Sequence, residues 1–253
     1  MDMSLVGRGL GAPMGQAPAV PLPSGVVTFL FTDIGGSTRL FQRWQDEWPA
    51  LLARHDRIVD SAFASHGGSV VFHEGDGYLA VFADAAQAVS AAAAAQVALA
   101  DHPWPPDGEI RIRAGLHTGY AVPYDGGYVA LAVHQAARVV QAAHPGQTLL
   151  TESTLAAIAG RTPARLEVEP LGAHRLKDFD VPQPLFELRG PGLAQEFPPL
   201  PGVWRGANNL PLPRTSFVGR GRDCDQLRDL LRKSRLVTVV GPGGSGKTRM
   251  SMQ

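Results

Sequence analysis

Runs of apolar residues predict the strands in the larger part of the chain. Residues 26–32 form an unbroken β-branched and aromatic run, the pattern of a strand buried on both faces. Residues 69–74 and 78–83 are shorter runs on either side of Gly75-Asp76-Gly77, an arrangement that predicts a β-hairpin. Alternation predicts a strand at 109–117, a short strand is expected at 147–151, and residues 160–188 are expected to be mostly strand and loop.

Helical patterns separate these strands. A first helix opens at Gly35-Gly36-Ser37-Thr38, is interrupted at Trp48-Pro49 and ends at Gly67-Gly68. Asp84 and Gln87 have the spacing of a capping box for a helix to about residue 100, and residues 129–143 predict an Ala-rich helix. A short helix is expected at 152–159. The order predicts an α/β sandwich (an α+β sandwich) whose mixed sheet has a ferredoxin-like βαββαβ core with additional C-terminal strands.

Composition narrows the classes of protein that this chain can represent. The 253 residues are 44% apolar, and 23 Lys and Arg balance 23 Asp and Glu, so a chain that wraps nucleic acid is not expected. The single cysteine, Cys224, excludes an internal disulfide and a Cys-cluster metal site, and it fits a cytoplasmic setting. Neither a membrane-spanning apolar run nor a signal peptide is found, so no membrane partner is expected.

Changes in amino-acid composition along the chain predict four segments. Residues 1–23 are rich in Gly, Pro and Ala and are expected to be a flexible leader. Residues 24–190 form the main domain, and the Pro-rich residues 191–215 are expected to be a linker. A second domain is expected to begin in 216–253, and it is expected to be truncated because the chain ends soon after Thr248.

The second segment carries a phosphate-binding motif. An apolar run at 236–240, expected to be a strand, precedes the sequence G-x-x-x-x-G-K-T, whose defining residues are Gly241, Gly246, Lys247 and Thr248. In such a loop the backbone N–H groups surround phosphates, the lysine reaches the β- and γ-oxygens, and the threonine hydroxyl contacts Mg²⁺. The motif predicts a P-loop.

Two aspartates stand where the predicted topology places ligands. Asp33 ends the first strand before two glycines and a helix start, which suits a cation bound to phosphate oxygens. Asp76 lies at the tip of the predicted hairpin. If the two carboxylates meet, they can hold two divalent ions on a triphosphate. Taken singly, Asp33 is equally a turn residue followed by an N-cap at Ser37 or Thr38, and Asp76 a favoured hairpin-turn residue.

Five motifs in order give the chain a family resemblance. Over about residues 25–188 the sequence resembles the class III nucleotidyl cyclases, the adenylate and guanylate cyclase family. The motifs are the stretches 29–38, 74–77, 113–119, 136–138 and 171–178. The resemblance implies that Asp33, Ile34 and Asp76 bind two Mg²⁺ or Mn²⁺, that Gly35, Gly36, Ser37 and Thr38 contact nucleotide, and that the domain works as a homodimer on ATP or another nucleoside triphosphate.

The resemblance also shows which family positions are kept and which are changed. Arg138 matches the family's transition-state arginine, although a solvated helical arginine is the alternative. His134 stands where the family has an asparagine, and it is either a displaced donor or a packing residue. At the two base-reading positions, Phe72 replaces a lysine and Gly127 replaces an aspartate or threonine, so hydrogen-bonded base selection is lost.

Two functions are compatible with this combination of kept and changed family positions. The first is a cyclase of weak or conditional activity that forms a cyclic nucleotide and pyrophosphate, with ATP preferred to GTP as the expected substrate. The second is a catalytically degenerate module that senses nucleotide or dimerises and regulates a downstream domain. The P-loop, with its lead-in Phe217-Val218-Gly219-Arg220, resembles the regulatory STAND ATPases found in bacterial regulators.

Overall fold

A computed structural model describes residues 21–200, 221–234, 236–242, 245–247 and 250. The chain divides into two compact units, Met1–Arg205 and Gly206–Gln253. The division falls inside the stretch 191–215 that the sequence predicts as a linker. Most of the predicted leader lies outside the described residues. At its end, Leu22 packs against a buried hydrophobic cluster of the first unit, and the Tyr128 hydroxyl donates to the Pro23 carbonyl.

The ferredoxin-like core is present. The connection from β1 to β2 leaves room for β3 beside β1, and the connection from β3 to β4 crosses to the other side of β1. The resulting order is β2-β3-β1-β4, with antiparallel pairing throughout. The strands are β1 (Gly25–Ile34), β2 (Ser69–Glu74), β3 (Gly77–Phe82) and β4 (Ile112–Ala121). The helices are α1 (Ser37–Trp44), α2 (Trp48–Ser65) and α3 (Ala85–Asp101), with a 3₁₀ turn (Gln45–Glu47) between the first two.

The rest of the first unit extends this sheet on one side. After the small hairpin of β5 (Pro123–Tyr124) and β6 (Gly127–Tyr128), helix α4 (Leu131–Ala142) leads to β7, which pairs parallel to β4. The sheet ends in the order β7-β9-β8, with antiparallel pairing, and is therefore mixed as the sequence predicts. The remaining elements are β7 (Thr148–Thr151), α5 (Glu152–Ala157), β8 (Glu167–His174) and β9 (Gln183–Arg189).

Helix boundaries follow local chemistry. Pro49 lies in the first turn of α2, where its missing N–H group costs no hydrogen bond. Asp84 caps α3, since its Oδ1 accepts the Ala86 N–H at 2.8 Å. The alternative that Ser37 or Thr38 caps α1 is wrong: Gly36 occupies the N-cap in the left-handed region at φ 74°, and no side chain caps the helix.

The main core lies where α2 and α3 pack on the sheet. Helix α3 is Ala-rich because its buried face lies close to β1 and β4. Gln96 is buried on the same helix, and its amide donates to the Ile112 carbonyl at 3.1 Å and to the Gln147 carbonyl at 3.3 Å. The one polar side chain buried in this helix therefore satisfies backbone oxygens where β7 joins β4.

Gly115 is required for α4 to approach β4. A Cβ atom at this position would lie 2.3 Å from the Val140 backbone nitrogen and 2.7 Å from its Cα. Backbone atoms of a packed helix cannot move aside as a side chain can. We expect Gly115→Ala to lower the free energy of unfolding by about 3 kcal/mol or more. Urea denaturation measures this loss, and Gly127→Ala, whose Cβ meets no atom closer than 3.7 Å, is the control expected to change little.

His117 makes stability fall in acid. Burial lowers the pKa of His117 to about 4, and its Nδ1 lies 3.0 Å from the Thr151 hydroxyl. As pH falls below about 6.5, the unfolded chain binds a proton that the folded chain does not, so stability is lost between pH 6.5 and about 4. The difference between the pKa of His117 in the unfolded and in the folded chain corresponds to a loss of about 3 kcal/mol in the free energy of unfolding. Urea titrations across this range should show a shallower acid loss in His117→Gln than in the wild type; equal losses would contradict the assignment.

The second unit contains one helix and corrects one predicted strand. The helix is the charged α6 (Gly221–Lys233). The strand predicted at 236–240 is wrong, because the structure assigns no strand there. In the described part of this unit there is no neighbouring strand to satisfy its backbone donors and acceptors. A helical turn does follow the loop, since the Met250 N–H donates to the Gly246 carbonyl at 2.9 Å.

Candidate functional site

The structure brings Asp33 and Asp76 together. Asp33 lies near the end of β1, and Asp76 directly precedes β3, the antiparallel neighbour of β1. Thr32 is the register partner of Tyr78, so Asp33 and Asp76 lie at the same end of this strand pair, and the charge of Asp76 raises the pKa of the Asp33 carboxyl. One carboxylate oxygen of Asp76, Oδ2, is buried and has no hydrogen-bond partner within the described residues. Facing carboxylates with an unsatisfied buried oxygen suit a divalent cation.

Ile34 turns its backbone oxygen toward the same place. The Gly35 N–H donates to the Arg111 carbonyl at 2.9 Å, on the β4 side of the chain. In this trans peptide the Ile34 carbonyl points the opposite way, toward β3 and the turn that holds Asp76. The Ile34 side chain is buried, so this carbonyl is the only group of the residue that can reach a cation.

Arg113 is a cation beside this carboxylate pair. It is the register partner of Asp33 across β1 and β4, and its guanidinium forms an ion pair with the Asp33 carboxylate. Burial raises the pKa of the Asp33 carboxyl; Arg113 opposes that rise and the Asp76 charge adds to it. The site therefore holds two acidic groups whose repulsion one guanidinium only partly offsets, and a bound cation would relieve the remainder.

A cavity of about 320 Å³ lies beside Arg113, the ion-pair partner of Asp33. It is lined by Gly35, Gly36 and Arg113 and by the segment 141–145 at the end of α4. Gly35 cannot carry a side chain here, because its Cβ would lie 2.3 Å from Cγ of Pro145. The start of α1 at Ser37 lacks a side-chain cap, so N–H groups of its first turn are available to an anion.

Arg138 lies on α4, apart from the contacts of the Asp33–Asp76 pair. Its side chain is only 10% exposed, which excludes the solvated arginine that the sequence left open. The guanidinium forms an ion pair with the Asp178 carboxylate, and its Nη1 donates to the Gln141 side-chain oxygen at 2.9 Å. These contacts fix the orientation of the fork, but they join Arg138 to neither Asp33 nor Asp76.

The three changed family positions lie in different surroundings. His134 is exposed on α4, one turn before buried Arg138. Phe72 is 40% exposed on β2, where the pairing with β3 shifts register. Gly127, on β6, lies beside Val71, because a Cβ at Gly127 would be 3.7 Å from Cγ1 of Val71. Gly127 is therefore close to the strand β2 that carries Phe72, while His134 lies on the same helix as Arg138.

Two charged residues of the site were not assigned a role from the sequence. Arg113 and Lys177 both lie inside quoted motifs. Arg113 contacts Asp33 directly, and Lys177 is exposed beside Asp178, the partner of Arg138. The alternation of β4 placed Arg113 on a strand, but only the register with β1 shows that it faces Asp33.

The P-loop motif is partly described. Lys247 lies over the loop, with its Nζ donating to the carbonyl oxygens of Gly241 and Pro242 at 2.8 Å each. Gly246 adopts the left-handed region at φ 78°, which a residue with a Cβ adopts at a cost. Thr248 lies outside the described residues, so its predicted Mg²⁺ contact stays a prediction.

No simpler metal site accompanies this pair in the described residues. In that part of the chain no three His, Cys, Asp or Glu side chains come together as a metal-binding group. The Asp33–Asp76 pair therefore needs backbone or ligand oxygens to complete a cation's shell. None of the described helices has the length and apolarity needed to cross a bilayer.

Comparisons with known proteins identify the family of this chain. The family described as "Adenylate and Guanylate cyclase catalytic domain" matches residues 21–180. An uncharacterized protein of Mycobacterium tuberculosis is 35% identical over 202 residues, which are 78% of this chain and 68% of that protein.

Solved structures share the fold. An adenylate cyclase of Trypanosoma brucei, analysed in its monomeric state, superposes with a TM-score of 0.64 at 25% identity, over 72% of this chain and 97% of that one. The guanylate cyclase domain of RhGC from Catenaria anguillulae, solved in complex with GTP, superposes with a TM-score of 0.57 at 22% identity. That match covers 66% of this chain and 97% of the other.

Proposed function

We propose, because the chain belongs to the adenylate and guanylate cyclase catalytic domain family, that residues 24–190 convert a nucleoside triphosphate into a cyclic nucleotide and pyrophosphate. The observation that carries the proposal is the meeting of Asp33 and Asp76, with an unsatisfied buried oxygen on Asp76. In the reaction the ribose 3′-hydroxyl loses its proton to solvent and its oxygen bonds to the α-phosphorus. The bond from the α-phosphorus to the oxygen that bridges to the β-phosphate breaks, and that oxygen leaves with the pyrophosphate.

The residues present fit two divalent cations. Asp33, Asp76 and the Ile34 carbonyl would hold Mg²⁺ or Mn²⁺, which when bound supplies charge neutralisation of the triphosphate and a more acidic 3′-hydroxyl. Arg113 adds a guanidinium beside the carboxylates, suited to phosphate oxygens. The open N–H groups at the start of α1 and the close backbone approach at Gly35 complete a surface for the phosphate chain.

A second copy of the chain completes the site in this proposal. Arg138 is oriented by Asp178 and Gln141 and contacts neither aspartate, so one protomer would supply the aspartates and its partner the arginine. Large apolar side chains are exposed on β1, β4 and the segment that leads into α4: Val26, Tyr120, Tyr124, Val129 and Leu131, each at least 67% exposed. Val26 and Tyr120 are register partners, so these two lie side by side. Exposed apolar area of this kind favours a protein partner.

The direct test is an assay of purified protein with Mn-ATP and with Mn-GTP, following cyclic nucleotide by mass spectrometry. Product that requires the metal supports the cyclase. The loss of base-reading groups at Phe72 and Gly127 favours one alternative, a nucleotide sensor that regulates a following P-loop domain of STAND type. Metal-dependent nucleotide binding in calorimetry without any product would support that alternative.

Restoring the base-reading groups should change substrate selection. We expect Phe72→Lys with Gly127→Asp to raise the preference between ATP and GTP by about tenfold or more, because hydrogen-bonding sites discriminate where apolar sites do not. Phe72 is partly exposed and Gly127 has room for a side chain, so the fold should tolerate both changes. Rates with each nucleotide measure the ratio; Phe72→Leu with Gly127→Ala is the control, and an unchanged ratio in the double variant contradicts the assignment.

A further inference from the structure

A cationic groove lies between α2 and α3, formed by none of the residues placed in the catalytic site. Its volume is about 520 Å³, within the range of small-molecule sites. Arg54, Arg57, His66 and His102 bring basic side chains to it, and no acidic residue is among those that line it. Within the described residues neither arginine forms an ion pair with an Asp or Glu.

The arrangement follows from helix periodicity. Residues 54, 57, 58, 61, 62 and 65 form one stripe along α2, while Asp60 belongs to another face and acts on Tyr78. On α3 the facing positions are Ala94 and Ala98, whose small side chains leave the space open. Ile58, Ala62, Ala94 and Ala98 give the groove an apolar floor beneath its basic rim.

The hydrogen bonds of Arg57 and His66 within the described residues leave other side-chain nitrogens of these two residues unengaged. The Arg57 Nε donates to the Ala53 carbonyl at 3.2 Å, which fixes the side chain and leaves its terminal nitrogens unengaged by that bond. The His66 Nδ1 lies 2.7 Å from the Ala62 carbonyl and therefore carries a proton, so Nε2 is the free ring nitrogen. The His102 Nε2 is buried without a partner in the described part of the chain.

We propose that this groove binds a small phosphomonoester, with the phosphate on Arg54 and Arg57 and an apolar or planar body over the alanine floor. Guanidinium groups match phosphate oxygens in a bidentate fork, and the histidines add donors when protonated. Nothing in the proposed cyclase reaction uses these residues. The site would give the domain a second ligand, bound away from the aspartate pair.

The test is NMR of the histidine rings in the full chain, titrated with inorganic phosphate, ribose 5-phosphate and AMP. The signals of His66 and His102 are assigned by their loss in His66→Gln and His102→Gln. Saturable shifts of both signals are expected, and Arg54→Gln/Arg57→Gln should weaken binding by about tenfold or more. EDTA and the Lys247→Ala variant remove binding at the aspartate pair and at the P-loop from the measurement.

The control double variant is Arg43→Gln/Arg161→Gln. It removes the same charge from two exposed arginines outside the groove, whose partners are Asp107 and Asp84, and it should bind as the wild type does. AMP binding more tightly than ribose 5-phosphate supports a ligand that carries a base, and equal binding supports a simpler phosphomonoester. The absence of saturable shifts, or equal affinity in the groove variant and the control, overturns the proposal, whatever the cyclase assay shows.

Discussion

Asp33→Asn should abolish nearly all product formation while leaving the fold intact. The change keeps the size of the side chain and removes the charge that faces Asp76 and Arg113. With one carboxylate left, the site cannot hold two cations on a triphosphate, and we expect the rate to fall by about 10²–10³-fold or more. The measurement is cyclic nucleotide formed from Mn-ATP, with the thermal unfolding midpoint as a check on folding.

Stability gives this prediction a second readout. Burial and the Asp76 charge raise the pKa of Asp33 and so oppose its ionisation, whereas Arg113 favours it. Because the first two effects outweigh the third, removing the Asp33 charge should not lower the free energy of unfolding as the loss of a stabilising ion pair would. A strongly destabilised Asp33→Asn protein would mean that the carboxylate serves the fold through Arg113. A stable protein with wild-type turnover would contradict the catalytic assignment.

Two further substitutions accompany Asp33→Asn: Asp76→Asn tests the second carboxylate of the site, and Asp56→Asn is the control. Asp76→Asn should reproduce the loss of activity, since its buried Oδ2 belongs to the same site. Asp56 is a partly buried carboxylate that lies beside His55 on α2, 2.9 Å from its Nδ1. Its replacement tests whether any buried carboxylate near the sheet has the same effect, and we expect activity close to the wild type.

The sequence was sufficient for the parts of the site that depend on topology. Asp33 at a strand end and Asp76 at a hairpin tip meet because the hairpin pairs with the first strand, and the order of apolar runs predicts that pairing. What depends on register was out of reach: the Asp33–Arg113 contact requires knowing which residue of β4 lies opposite Asp33. The strand predicted at 109–117 is observed from Ile112, so Arg113 is inside it in both cases, but the bounds of a strand do not tell which of its residues lies opposite Asp33.

Contacts between residues far apart in the sequence could not be predicted from the sequence either. Arg138 and Asp178 are 40 positions apart, and only the packing of α4 beside the loop after β8 brings them together. The N-cap of α1 was misassigned because Ser37 and Thr38 have the stronger statistical preference, whereas the turn after Gly35 requires a left-handed residue, which glycine supplies at position 36.

If the proposed reaction is correct, Arg138→Ala should lower the rate by about 10²–10³-fold, because the variant lacks the guanidinium that would stabilise developing phosphate charge. The ion pair with Asp178 and the bond to Gln141 hold that guanidinium in place, so Arg138→Lys, which keeps the charge without the fork, should recover only part of the rate. Initial rates with Mn-ATP measure both variants, and unfolding midpoints separate lost chemistry from lost folding.

Mixing the two inactive variants tests whether the site is shared between protomers. In a dimer of Asp33→Asn with Arg138→Ala, one composite site has both substitutions and the other has neither. Random exchange makes half of the dimers mixed, so an equal mixture should recover about a quarter of the wild-type activity. If each protomer instead worked with its own aspartates and arginine, every site would carry one substitution and the mixture would stay inactive. Sedimentation of the mixture shows whether exchange has taken place, so an inactive mixture of exchanged dimers would refute the shared site.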